Sequence, residues 1–204
     1  MKIVVRQANF FKLLFICLLL TSFNAAAQKT NIWVVRHAEK AANTVNDPDP
    51  GLSPAGQKRA VALAKELKRE NIKAIYVTRY KRTALTAKPL AYKAKILPRV
   101  YNTDTAGIKQ FAKTILKNFK GNNVLVVGHS NTVMQLLSAF GAEMPFAGLD
   151  EEDYDMLFKV TVKDNGKVEL AIDYYGDKHH TNEIPEKYQP EINHPETIRP
   201  FTNY

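Results

Sequence analysis

The sequence predicts an α/β fold: three layers, α/β/α, around a mainly parallel central sheet, with a C-terminal antiparallel hairpin added. Two observations predict it. Between residues 32 and 140 short apolar runs alternate with stretches of helical period, the pattern of a parallel sheet covered on both faces. After Gly141 the pattern changes, and residues 157–162, Asp164-Asn165-Gly166 and residues 168–172 read as two strands around a tight turn.

Each element has a local cause. Ile32-Trp33-Val34-Val35 is an apolar run too short for a helix and reads as a buried strand ending at Arg36-His37. Residues 38–51, rich in Asn, Asp and Pro, form a loop. Ser53-Pro54 opens a helix, with Ser as N-cap and Pro in the first turn, carried on by Ala60, Leu63, Ala64 and Leu67. Residues 74–77 are a second strand. A helix from Tyr80 is expected to stop near Pro89, and residues 95–97 fit a short strand. Ile108, Phe111, Ala112, Ile115, Leu116 and Phe119 form one apolar helical stripe, broken by Gly121-Asn122-Asn123. Residues 124–127 are a third buried strand, and Gly128-His129-Ser130 turns into a helix marked by Val133, Leu136, Leu137 and Phe140.

The ends of the chain read differently. Lys2, Arg6 and Lys12, the apolar run 13–20 and Ala25-Ala26-Ala27 have the form of a secretory signal over residues 1–27. The run is shorter than the roughly 20 apolar residues a bilayer span needs. A retained anchor is the alternative reading. Cleavage would give a periplasmic or secreted protein without stable membrane insertion. The single cysteine, Cys17, lies in that run, so the mature chain would offer neither a disulfide nor a thiol nucleophile. Residues 28–176 form the domain, and residues 177–204 a polar tail packed on it or trailing from it. The formal charge of +9 falls by three when residues 1–27 are removed. The remaining excess suits an anionic substrate or plain solubility. The lysines are scattered along amphipathic helices, so no nucleic acid partner is expected.

Ligands of open α/β sheets bind beyond the carboxyl ends of the strands. Two expected strands end in histidine, at Arg36-His37 and at His129, and a third runs into a turn carrying Arg79 and Arg82. If the ends are neighbours, two imidazoles and at least one guanidinium converge on one pocket. Guanidinium forks match phosphoryl oxygens, the helix N-terminus at Ser130 adds backbone donors, and a neutral imidazole can attack phosphorus. Nearby arginine charge would hold His37 neutral.

Four stations, in order, resemble the histidine phosphatase superfamily, also called phosphoglycerate mutase-like. They are Arg36-His37-Ala38-Glu39, with Ala in the Gly place; Leu52-Ser53-Pro54-Ala55-Gly56-Gln57-Lys58-Arg59-Ala60, with Arg for Gln; Tyr76-Val77-Thr78 through Arg82-Thr83-Ala84-Leu85-Thr86-Ala87; and Val126-Val127-Gly128-His129-Ser130. The resemblance implies His37 as phosphoacceptor, with Arg36, Arg82 and His129 as the phosphate cage. Its register selects Arg82 over Arg79. It also implies a carboxylate that protonates the leaving oxygen. Asp104 and Glu39 are the candidates, against an N-cap role for Asp104 and an orienting role for Glu39. The acidic run Asp150-Glu151-Glu152-Asp153 reads as a solvated loop, and His179-His180 as tail residues without metal-ligand spacing. Tyr154, Tyr174 and Tyr175 border the pocket or pack at the sheet edge. No cofactor and no metal site are expected.

The function implied is an exported, metal-independent phosphomonoesterase acting on a small-molecule phosphate ester through a phosphohistidine at His37. A phosphomutase and a non-catalytic phospholigand-binding module are the alternatives. Oligomeric state and substrate identity stay open.

Overall fold

The computed structural model describes residues 28–42 and 47–189. The segment read as a targeting signal, part of the 38–51 loop and the end of the tail lie outside the described residues. Six strands form one sheet: β1 (Lys29–Arg36), β2 (Ile72–Val77), β3 (Arg99–Val100), β4 (Asn123–Gly128), β5 (Met156–Lys163) and β6 (Val168–Tyr174). Their spatial order is β3-β2-β4-β1-β5-β6. The first four are parallel, and β5 and β6 add an antiparallel hairpin to the β1 side. Four helices connect them: α1 (Pro54–Glu66), α2 (Lys81–Ala94), α3 (Thr105–Asn118) and α4 (Ser130–Ala139).

The alternation of a strand's side chains makes three layers out of one sheet. In β1, Ile32 and Val34 point to one face, where Ile108, Phe111 and Ile115 of α3 and Val133, Leu136 and Leu137 of α4 cover them. Trp33 and Val35 point to the other, under Leu63 and Ala64 of α1 and Ala87 and Leu90 of α2. Both faces are dry, which is why β1 and β4 read as unbroken apolar runs rather than alternating ones.

Local chemistry sets the helix starts. The Ser53 hydroxyl accepts from the Gly56 amide at 3.1 Å, with Pro54 in the first turn. Gly56 is required by close approach: a Cβ there would lie 2.2 Å from the Glu39 carbonyl oxygen. The start of α1 therefore rests on the segment that follows His37. Asp104 caps α3, accepting from the Gly107 amide at 2.7 Å.

Two expectations need correction. Pro89 does not stop α2; the helix passes through it to Ala94. Leu90 and Ala91, just beyond it, are buried, and this burial outweighs the backbone bond that proline removes. The helix closes instead at Lys95, which adopts φ +55°, with the Ile96 amide donating to the Ala91 carbonyl at 3.0 Å. Residues 95–97 are thus consumed by the helix end, and the short strand falls at Arg99–Val100.

The acidic run is more structured than the solvated loop expected, and the described part of the tail packs on the domain. Asp153 is buried and accepts from the amides of Thr181 and Asn182 at 2.9 and 3.1 Å. Asp155 accepts from the His179 amide at 2.8 Å and pairs with the His180 ring at 2.7 Å. Tyr188 joins the core beside α4. Residues 177–189 are therefore strapped to the domain. No helix among the described residues is long and apolar enough to cross a membrane.

Candidate active site

Register builds the site. Parallel pairing of β1 with β4 sets Arg36 opposite Gly128, and the His37 amide continues the ladder by donating to the Gly128 carbonyl at 2.9 Å. The next residue on each strand is a histidine. The rings of His37 and His129 come to 5.1 Å between centroids, at an interplanar angle of 65°. With Arg36, Arg82 and Ser130 they line a polar cleft of about 330 Å³ beyond the carboxyl ends of the strands.

His37 is fixed by its own backbone. Its Nδ1 lies 2.8 Å from the Ala38 carbonyl oxygen, which can only accept. Nδ1 therefore carries the proton, and the lone pair of the neutral ring is on Nε2. Ala38 sits where the resemblance has Gly. Its Cβ packs with Leu52, Ala60 and Leu85, and its amide donates to the Thr86 hydroxyl at 2.9 Å. The methyl group thus fills a small apolar niche and leaves the carbonyl free to hold the imidazole.

His129 is held from two sides. Its Nε2 lies 2.9 Å from the Thr78 hydroxyl, and its Nδ1 faces an Arg82 terminal nitrogen at 3.5 Å. Guanidinium only donates, so Nδ1 is the acceptor and Nε2 carries the proton toward Thr78. Burial is the main reason that both histidines titrate low, His37 at about 3 and His129 at about 4; the charges of Arg36 and Arg82 push the same way. Both rings are neutral across the physiological range.

The two arginines are anchored differently. Arg36 lies over the Tyr154 ring, 4.1 Å from its centroid, and donates to the Asp150 carbonyl at 2.6 Å and to Glu151 at 2.9 Å. Arg82 lies 4.2 Å over Tyr80 and pairs with Asp49 at 3.3 Å. In each the buried Nε–H has no partner among the described residues. Two guanidinium groups beside two neutral imidazoles suit a tetrahedral oxyanion. Arg79, by contrast, stacks on Tyr80 outside the cleft.

Neither expected carboxylate lines this cleft. Asp104 spends one oxygen on its helix cap and the other on the Asn102 side chain at 2.6 Å. Glu39 turns away to Arg59, which holds it at 2.8 Å and also donates to the carbonyls of Tyr175 and Asp177, both at 2.9 Å. Arginine in the place of the resembled glutamine thus ties Glu39 and the C-terminal strap to α1. The carboxylate that does line the cleft is Glu151, bonded to Arg36 and, at 3.3 Å, to the Ser130 hydroxyl. Sequence reading missed it because a run of four acidic residues looks the same whether it is solvated or folded over a site. Lys40, Tyr80, Thr103 and Asn131 also line the cleft and carried no sequence signal. Among the described residues, no group of three or more His, Cys, Asp or Glu side chains is placed to hold a metal ion.

Comparison with known proteins gives a family match over part of the chain and a shared fold over most of it. Residues 32–104 match the family model of the histidine phosphatase superfamily, branch 1. Phosphoserine phosphatase 1 of Hydrogenobacter thermophilus is 47% identical over 62 residues, 28% of this chain and 29% of that protein. The chain thus spans under a third of the length of the curated relative it matches. Among solved structures, the protein histidine phosphatase SixA complexed with tungstate superposes with a TM-score of 0.57 at 17% identity, covering 71% of this chain and 95% of that one. A mycobacterial glucosyl-3-phosphoglycerate phosphatase gives 0.55 at 13% identity over 72% of this chain and 98% of that one. Residues 32–104 are thus similar to the histidine phosphatase superfamily, and the fold is shared with solved phosphatases over most of the chain.

Proposed function

We propose that the protein is an exported phosphomonoesterase that transfers the phosphoryl group of a small ester to His37 Nε2 and then to water, without a metal ion. One observation carries the reading. His37 presents a neutral ring with Nδ1 tied to its own backbone, in a cleft it shares with His129, Arg36 and Arg82.

The chemistry follows from that arrangement. Arg36, Arg82 and the amide end of α4 take the phosphoryl oxygens, whose charge spreads in the transition state. His129, neutral with Nε2–H on Thr78, turns its Nδ1 lone pair to Arg82 and helps hold that guanidinium at the phosphoryl site. Attack by Nε2 forms the N–P bond as the ester P–O bond breaks and the alcohol leaves with a proton; water then attacks phosphorus, forming O–P as N–P breaks, and orthophosphate is released. The three phosphatases compared above support the reaction class. Support for export comes from the form of residues 1–27. A cleft of about 330 Å³ favours a small ester.

The test is acid quenching during turnover of a ³²P-labelled ester. The expected result is an acid-labile, base-stable adduct, absent in His37→Ala. An acid-stable adduct, or none, defeats the reading. A panel of esters assayed with and without a chelator should show unchanged rates; loss of activity on chelation removes the metal-independent part.

A further inference from the structure

We infer that Glu151 is the proton donor to the leaving oxygen, a catalytic residue contributed by the loop that precedes β5. The inference rests on the phosphohistidine reading above and assigns the acid that this reading requires. An alkoxide is a poor leaving group, so an ester of an ordinary alcohol needs a proton on its bridging oxygen as the P–O bond breaks.

Three observations place Glu151 there. It is the one carboxylate among the residues lining the cleft. Its two oxygens reach Arg36 at 2.9 Å and the Ser130 hydroxyl at 3.3 Å, so it bridges two of the groups proposed to hold the phosphoryl oxygens. Its side chain is 76% exposed, whereas that of Arg36 is 3% exposed. The carboxylate therefore stands on the solvent side of the cage. His37 is at the buried end, 5% exposed, so in-line displacement sends the leaving oxygen outward, toward Glu151.

The same contacts explain how the carboxylate obtains its proton. Before substrate binds, Arg36 compensates its charge. A phosphoryl dianion that takes over Arg36 and Ser130 puts two negative groups side by side, and uptake of one proton by Glu151 relieves the repulsion. In the first step Nε2–P forms, P–O breaks, and the Glu151 proton passes to the bridging oxygen, giving the free alcohol and a carboxylate. In the second step the carboxylate takes a proton from the attacking water as O–P forms and Nε2–P breaks. This restores the acid and neutral His37. Neither Asp104, committed to its cap, nor Glu39, committed to Arg59, has a comparable position.

Leaving-group dependence tests the assignment. Wild type, Glu151→Gln and Glu151→Asp are assayed on glycerol 2-phosphate and on p-nitrophenyl phosphate, whose leaving group needs no proton. The expected loss of kcat/KM in Glu151→Gln is on the order of 100-fold or more for the alkyl ester. It is less than about fivefold for the aryl ester, with partial recovery in the aspartate variant. Equal losses on both esters assign Glu151 to the positioning of Arg36 and overturn the proposal. So does an unchanged or improved variant, which would make the carboxylate a mere competitor for the anion site. Wild type inactive on both esters brings down the phosphatase reading itself, an outcome distinct from these because it needs no variant.

Discussion

Arg36 and Gly128 are register partners on adjacent parallel strands, and this pairing sets His37 beside His129, although the two are distant in sequence. A slip of one residue between β1 and β4 would turn one imidazole to the opposite face of the sheet. The buried alternation of Ile32, Trp33, Val34 and Val35 against residues 124–127 prevents that slip, since both faces are packed. The core thus fixes the site.

The two arginines of the 79–82 turn should differ sharply on mutation. Arg82 reaches His129 and lines the cleft, while Arg79 stacks on Tyr80 outside it. Arg82→Ala is expected to cost on the order of 100-fold or more in kcat/KM, as loss of a charged transition-state donor does. Arg79→Ala should stay within about threefold, the scale of an exposed contact. Steady-state kinetics on one ester checks both, and equal losses contradict the register.

Stability should fall with acid below neutrality. His37 and His129 titrate at about 3 and about 4 in the folded protein, below their ordinary value of 6.5. Between pH 6.5 and about 4 the unfolded chain therefore binds protons that the folded one refuses, and stability rises with pH through that window. Each histidine contributes a slope of up to ~1.4 kcal/mol per pH unit, and roughly half of that for the less buried His129. Urea midpoints from pH 4.5 to 6.5 measure it. His37→Asn with His129→Asn should flatten the slope; an unchanged slope contradicts the cause given.

Arg59→Gln restores the residue type that the family resemblance expects, yet it should destabilise this chain. The guanidinium is buried, pairs with a nearly buried Glu39 and donates to the backbone carbonyls of Tyr175, just after β6, and Asp177, at the start of the strap. Loss of one partner of such a pair costs about 3–5 kcal/mol. Chemical denaturation gives the magnitude. Faster amide exchange or proteolysis in residues 177–189 would locate it, and a variant as stable as wild type would show that the pair contributes little.

Much of the fold was legible in the sequence because apolar period is a local property. The β1 and β4 runs, the capped start of α1 and the stripe of α3 each needed only neighbouring residues. Pro89 misled because what holds α2 together beyond it is burial of Leu90 and Ala91 against the sheet, which no local rule reports. The placement of the carboxylates was not legible for a related reason. Asp104 and Glu39 lie near the expected stations in the chain, but a carboxylate goes where donors are, and theirs are Gly107 and Arg59.

The sequence by itself determined the layer order, the residues that end each parallel strand and hence the chemistry brought to that end of the sheet. Those follow from periodicity and from spacing along one chain. Tertiary structure alone decided which carboxylate bridges Arg36 and Ser130, and that residues 177–189 fold back against the domain. These contacts join segments up to a hundred or more residues apart, and only the packed sheet brings their donors and acceptors within hydrogen-bonding range.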